Sequence, residues 1–82
     1  MKQIEWSEES LEDMAALEKR NARQVKNAVE RFAEHGAGKV KKLQGLDPPE
    51  FRLRVGDFRV RFHVDGDTLR ILRVLDRKEA YR

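Results

Sequence analysis

Cysteine is absent from the 82 residues, so neither a disulfide nor a thiolate metal site can hold the fold together. No apolar run approaches the ~20 residues that a membrane span needs. The opening Met-Lys-Gln-Ile-Glu-Trp lacks the apolar stretch of a signal peptide, and a cytoplasmic protein is the expectation. Also missing are a Gly-rich phosphate loop, a metal-ligand spacing and a Ser-His-Asp set, which leaves the usual phosphate-cradle, metal and triad chemistries without residues to perform them. No internal repeat, low-complexity stretch or linker interrupts the chain, whose length suits one small domain with one core.

What the chain has is charge, unevenly spread. Residues 1–38 hold 6 Lys/Arg and 8 Asp/Glu, a net of −2, whereas residues 39–82 hold 12 and 7, a net of +5. Within the basic half, residues 51–64 alternate strictly. Apolar side chains occupy every second position, and Arg52, Arg54, Arg59, Arg61 and His63 stand between them. Period-two alternation marks a half-buried strand pair. Gly56-Asp57 between the two arms suits a type II′ hairpin turn. That register sets Val55 opposite Phe58, Arg54 opposite Arg59 and Arg52 opposite Arg61. Like charges facing each other across strands are destabilising, so a chain that stacks guanidinium groups is positioned to meet an anion, best read as nucleic-acid phosphate.

The rest follows from local signals. Met1 to Trp6 reads as a short first strand. Ser7 is a good N-cap, with Glu8 and Glu9 at the positive end of the helix dipole. Leu11, Met14 and Leu17, then Val25, Val29 and Phe32, recur at helical spacing and predict two helices, roughly 8–18 and 21–34, packed as a hairpin. Gly36 and Gly38 end the second. Val40 to Leu43 forms an edge element, and Pro49 excludes helix in the loop that follows. Asp65-Gly66 signals a type I′ turn pairing Val64 with Asp67 and Val60 with Ile71. A third strand then spans 67–75, with Leu69 and Ile71 facing the core and Arg70, Leu72 and Val74 on the arginine face. Residues 76–82 are a polar tail ending in a short strand. The core comprises Phe51, Leu53, Val55, Phe58, Val60, Phe62, Val64, Leu69 and Ile71 from the sheet and the six apolar helix residues. The fold class is therefore α+β: an N-terminal helical hairpin on one face of a small antiparallel meander sheet, in two layers, with the other face open.

Val40-Lys-Lys-Leu-Gln-Gly45, Phe51-Arg-Leu-Arg-Val-Gly-Asp-Phe-Arg-Val-Arg-Phe62 and Arg73-Val-Leu-Asp-Arg-Lys-Glu-Ala-Tyr-Arg82, taken with the order of elements, resemble the RelE/ParE toxin superfamily over nearly the whole chain. The resemblance implies a single RelE-like toxin domain over residues 1–82. RelE-like members are toxins of type II toxin–antitoxin pairs that enter the ribosomal A site and cut mRNA. ParE-like members share the fold but poison DNA gyrase. A cognate antitoxin, commonly from an adjacent gene, neutralises either kind. The expected partners are thus an antitoxin, the ribosome and mRNA, with no membrane, metal or cofactor.

Carried over residue by residue, the RNA-cleaving set corresponds to Arg52, Arg54, Arg59, Arg77 and Tyr81. The RelE branch has lysines where this chain has Arg52 and Arg54. Metal-independent cleavage uses the ribose 2′-hydroxyl as nucleophile, and fixed cations aimed at the developing phosphorane charge are the largest contribution. Arginine suits that role because its planar fork binds phosphate oxygens bidentately, which gives Arg59 and Arg77 to the transition state and Arg52 to positioning. Arginine stays protonated, so Arg54 is a poor base. Tyr81 serves as base or stacking platform, and His63, on the same face, is a candidate proton acceptor because imidazole changes charge near neutral pH. Arg61, Arg70, His63, Lys41, Lys42, Lys78 and Arg82 are candidate RNA contacts, since phosphate contacts position without reading sequence. For each, a solvated surface charge is the plain alternative. A ParE-like gyrase inhibitor and a relative that binds nucleic acid or protein without cutting stay open beside the nuclease.

Overall fold

The computed structural model describes residues 2–80, and of Glu79 and Ala80 the backbone alone. The elements are β1 (Gln3–Trp6), α1 (Glu8–Ala15), α2 (Lys19–His35), β2 (Lys39–Leu43), β3 (Glu50–Val55), β4 (Phe58–Asp65), β5 (Thr68–Asp76) and a single helical turn, α3 (Arg77–Ala80). The turn at α3 replaces the expected last strand. No helix among the described residues is long and apolar enough to cross a membrane.

Ser7 caps α1 as its sequence position requires. Its Oγ accepts the Ser10 N–H at 3.0 Å and donates to the Leu72 carbonyl oxygen at 2.8 Å, so the same hydroxyl starts the helix and fastens it to β5. Gly36 closes α2 with φ 67°, and its N–H donates to the Phe32 carbonyl at 2.8 Å. A residue with a Cβ would be strained in that left-handed conformation.

The sheet has five strands in the order β1-β5-β4-β3-β2. From β2 to β5 it is the expected antiparallel meander. At the far edge β1 runs parallel to β5, with Gln3 opposite Thr68 and Trp6 opposite Ile71, so the sheet is mixed. The helices also depart from the expected hairpin: α1 lies along β5, whereas α2 lies over β3 and β1. The inward face of α1 is set by buried Ser10 with Asp13 and Met14, Leu17 packs on the core just beyond the helix, and Leu11 falls off that face and stays exposed.

The core is built chiefly by α2. Val25, Val29 and Ala33, spaced four apart, press a single row onto Leu53, Val55, Val60, Phe62, Leu69 and Ile71. Phe62 is central, with ring centroids 5.4 Å from Phe32 and 5.6 Å from Phe51. Val64, the last inward residue before the turn, is exposed rather than core.

The first hairpin keeps the expected register, with Val55 opposite Phe58, Arg54 opposite Arg59 and Arg52 opposite Arg61. Gly56 has φ 57°, and among the described residues no non-glycine residue has a positive φ, as a type II′ turn demands. The second hairpin corrects the expectation. Asp65 pairs with Thr68, so the loop is Gly66-Asp67, with glycine first and φ 58°. A type I′ turn over Asp65-Gly66 would have forced Asp65 to a positive φ. A bulge then intervenes: Phe62 pairs with Ile71, but Arg61 pairs with Arg73 and Val60 with Val74. The extra residue, Leu72, reverses the faces of everything after it. Val74, expected among the arginines, is 4% exposed in the core, and Arg73 turns outward.

Arg73 is met there by Asp13 of α1. The guanidinium donates to both carboxylate oxygens at 2.8 and 3.1 Å, and the Val74 N–H donates at 2.9 Å. Burial alone would raise the Asp13 pKa, but the hydrogen bonds from Arg73 and Val74 and the guanidinium charge outweigh it and hold the carboxyl below its ordinary value.

Two expectations follow. Phe62→Ala should cost about 3–5 kcal/mol in a chemical denaturation, the range for emptying an aromatic core site. Because the native pKa of Asp13 is depressed, its contribution should be whole above the unfolded value of ~3.9 and vanish as pH falls through the native one. Urea melts between pH 6 and pH 2.5 should show a shallower acid loss in Asp13→Asn than in the parent.

Candidate functional site

Register turns the alternating sequence into two cross-strand rows on the sheet face away from α2. Lys39 of β2 faces Arg54 of β3, which faces Arg59 of β4. Lys41 faces Arg52, which faces Arg61, which faces Arg73 of β5. Rows of like charge are unfavourable on their own, and the carboxylates that relieve them are unequally placed.

Toward β5 the rows are neutralised. Glu50, only 5% exposed, takes Arg61 in a bidentate pair, with Arg61 Nη2 donating to Oε1 at 2.9 Å and Nε to Oε2. His63 Nε2 stands 3.9 Å from the same carboxylate. Arg73 is held by Asp13 as described. Arg61 and His63 therefore lie on the expected face but are turned to an internal acid rather than to an outside anion. Arg70, opposite His63, forms an exposed pair with Asp65 at 3.2 Å, an interaction of small energy.

Toward β2 the charge is concentrated. Lys39, Val40, Lys41, Arg52, Arg54 and Arg59 line a cleft of about 240 Å³, and among the described residues no acidic side chain lines it. Arg59 forms its inner end. It is 5% exposed, and its Nη1 donates to the carbonyl oxygens of Gly56 and Phe58, each at 3.0 Å. The hairpin turn thus fixes this guanidinium before any ligand arrives, which removes much of the entropy cost of ordering it on binding. Five cations converging on a small volume can hold the oxygens of one phosphodiester and stabilise charge that grows on them.

The structure brings together Arg52, Arg54 and Arg59 with Lys41, and adds Lys39 from the same edge strand. Alternation of Lys39, Val40 and Lys41 on an edge strand was the available signal. Lys42 departs from the expectation: it pairs with Phe51 and so lies on the opposite face. Arg77 and Lys78 do not line the cleft either. They border a separate depression with Asp57 and Asp76 at the hairpin end, where the Arg77 N–H donates to the Asp57 carbonyl at 2.7 Å. Tyr81 and Arg82 lie outside the described residues. Among the described residues no three His, Asp or Glu side chains group as metal ligands would.

Comparison with known proteins bears on the whole chain. The family described as the ParE toxin of the type II toxin–antitoxin system, parDE, matches residues 4–81. Toxin RelE3 of Methanocaldococcus jannaschii is 43% identical over 42 residues, 51% of this chain and 47% of that protein, so the match spans about half of the relative. Among solved structures, the RelB–RelE antitoxin–toxin complex from Methanococcus jannaschii contains a similar chain at a TM-score of 0.76 and 25% identity, covering 94% of each. The archaeal RelE–RelB complex from Pyrococcus horikoshii OT3 gives 0.77 at 20% identity, over 93% of this chain and 94% of that one.

The split between neutralised and concentrated cations is directly measurable with a polyanion such as single-stranded RNA. Lys41→Ala and Arg52→Ala should each lower the slope of log affinity against log salt by about 0.7, one contact each. Arg61→Ala should leave that slope unchanged and instead cost about 1–3 kcal/mol of stability, because it strands the buried Glu50 carboxylate.

Proposed function

This chain belongs to the ParE toxin family of type II toxin–antitoxin systems, within the RelE/ParE superfamily, and from the cleft that it carries we propose that it is a ribosome-dependent endoribonuclease that cuts mRNA in the A site. The observation that carries this reading is the cationic cleft, in which Lys39, Lys41, Arg52, Arg54 and Arg59 converge with no lining carboxylate among the described residues. A surface built only to bind protein gains little from such a grouping, whereas a scissile phosphodiester uses all of it.

In the proposed reaction the ribose 2′-oxygen attacks the neighbouring phosphorus and the bond from phosphorus to the 5′-oxygen breaks. A 2′,3′-cyclic phosphate and a 5′-hydroxyl result, the 2′ proton passing to a base and the departing oxygen receiving one. Arg59, fixed by the turn, meets the charge that develops on the non-bridging oxygens, while Arg52 and Arg54 orient the phosphate bidentately. Arginine holds its protons, so proton transfer falls to other groups. Tyr81 is the family's candidate. His63 is the weaker one, since it faces Glu50. The basic residues supply the charge stabilisation, so the reaction as proposed needs no metal. A cognate antitoxin is the expected partner by analogy with the RelB-bound relatives.

The matched family's own name favours a second reading, a poison of DNA gyrase that acts by binding. One experiment separates the two. Purified protein is added to translating ribosomes and mRNA 5′ ends are mapped, with a gyrase supercoiling assay run in parallel. Cuts in phase with the reading frame are expected, weakened about 10²–10³-fold by Arg59→Ala or Arg54→Ala. Intact mRNA with stalled gyrase would replace the nuclease by the gyrase poison.

A further inference from the structure

The cleft cations are of two chemical kinds. Three are guanidinium groups, Arg52 and Arg54 from β3 and Arg59 from β4, and two are ammonium groups, Lys39 and Lys41, both from the edge strand β2. The difference matters because the proposed cleavage needs more than fixed charge. When the bond from phosphorus to the 5′-oxygen breaks, its electron pair stays on that oxygen, and the departing alkoxide needs a proton. A guanidinium holds its protons, whereas an ammonium can give one up. Among the described residues the two lysines are the only cleft-lining side chains that can transfer a proton.

Register separates the two lysines. Lys39 stands opposite Arg54, which stands opposite Arg59. Its row therefore ends on the guanidinium that the hairpin turn holds in place through the Gly56 and Phe58 carbonyls. Two strand spacings, about 10 Å, separate the backbones of Lys39 and Arg59, a gap that two long side chains on one sheet face can bridge to a single phosphate. Lys41 stands in the other row, opposite Arg52 and, beyond it, Arg61, whose guanidinium Glu50 has taken. The phosphorus whose charge Arg59 meets is one bond from the departing oxygen, so a proton donor belongs in the row of Arg59. Lys39 is also exposed on its strand, which leaves its stem room to follow that oxygen as it departs.

We infer that Lys39 is the general acid of the cleavage, its Nζ delivering a proton to the 5′-oxygen as the bond to phosphorus breaks. The inference rests on the RNA-cleaving reading and deepens it. An electron pair of the 2′-oxygen forms the new bond to phosphorus, and the 2′ proton goes to a separate base. The pair of the broken bond leaves on the 5′-oxygen, which takes the Lys39 proton and departs as a hydroxyl. Lys39 is left as a neutral amine and regains its proton from water. Arg59 thus meets charge on the non-bridging oxygens while Lys39 serves the bridging one. Had Lys39 only to grip the RNA backbone, arginine would replace it without loss; as a proton donor it has no such substitute.

The test replaces the bridging 5′-oxygen at the cut by sulfur, because a thiolate departs without needing a proton. Ribosomes carrying either mRNA in the A site receive excess toxin, and single-turnover rates are compared, with a thermal melt of each variant to show that it is folded. Lys39→Arg keeps the charge at an exposed position. It should cut the oxygen linkage about 10²-fold more slowly than the parent and the sulfur linkage at the parent's rate. Arg59→Ala should be slow on both linkages, since charge develops on the non-bridging oxygens in either case. Lys41→Arg should keep the parent's ratio of the two rates. Equal loss on both linkages in folded Lys39→Arg, no loss on either, or rescue by sulfur of Lys41→Arg in place of Lys39→Arg would overturn the inference. A parent that cuts neither linkage would remove the nuclease reading as a whole, whereas a parent that cuts both, with Lys39→Arg unimpaired, would remove this inference alone.

Discussion

Burial of one sheet face under α2 is the interaction on which the rest depends. Slipping the β3–β4 hairpin by one residue would turn Leu53, Val60 and Phe62 out of the core, at about 1.5–3 kcal/mol for each side chain. The like-charge pairs that the native register creates, Arg54 with Arg59 and Arg52 with Arg61, cost roughly 0.2–1 kcal/mol each. The apolar term wins by several-fold, so the sheet accepts a repulsive face as the consequence of a well-packed one. Apolar packing and concentrated charge are thereby placed on opposite sides of the same strands.

The repulsion is not left uniform. Two carboxylates from distant parts of the chain, Glu50 and Asp13, meet the rows on β4 and β5. No acidic side chain lines the cleft between β2 and β3 among the described residues. Charge is therefore graded across the sheet, with the cations concentrated toward β2. The bulge at Leu72 makes this grading possible. Without the extra residue Arg73 would point into the core and Val74 out of it. With it, the arginine reaches Asp13 and ties α1 to β5.

Arg59 connects the hairpin turn to the cationic cleft. Its near-complete burial would be expensive for a cation with nothing to donate to, and the carbonyl oxygens of Gly56 and Phe58 answer that need. A tight turn is thus part of the cleft wall. The residues around it read as charge on a surface, yet the innermost cation is held as rigidly as a core side chain.

The alternation of residues 51–64 and the Gly56-Asp57 step determined by themselves the first hairpin, its register and the gathering of arginines on one face, because side-chain direction in a strand has a period of two and needs no partner to express it. The caps at Ser7 and Gly36 were legible for the same local reason. The parallel partner of β1, the face change after Leu72, the exposure of Leu11 and the capture of Arg61 by Glu50 were decided only in three dimensions. Each depends on which distant segment arrives alongside, and a one-residue bulge or a buried carboxylate leaves no periodic trace in the chain. Arginines spaced two apart say where cations will stand; only the packed structure says which of them an internal acid has already taken.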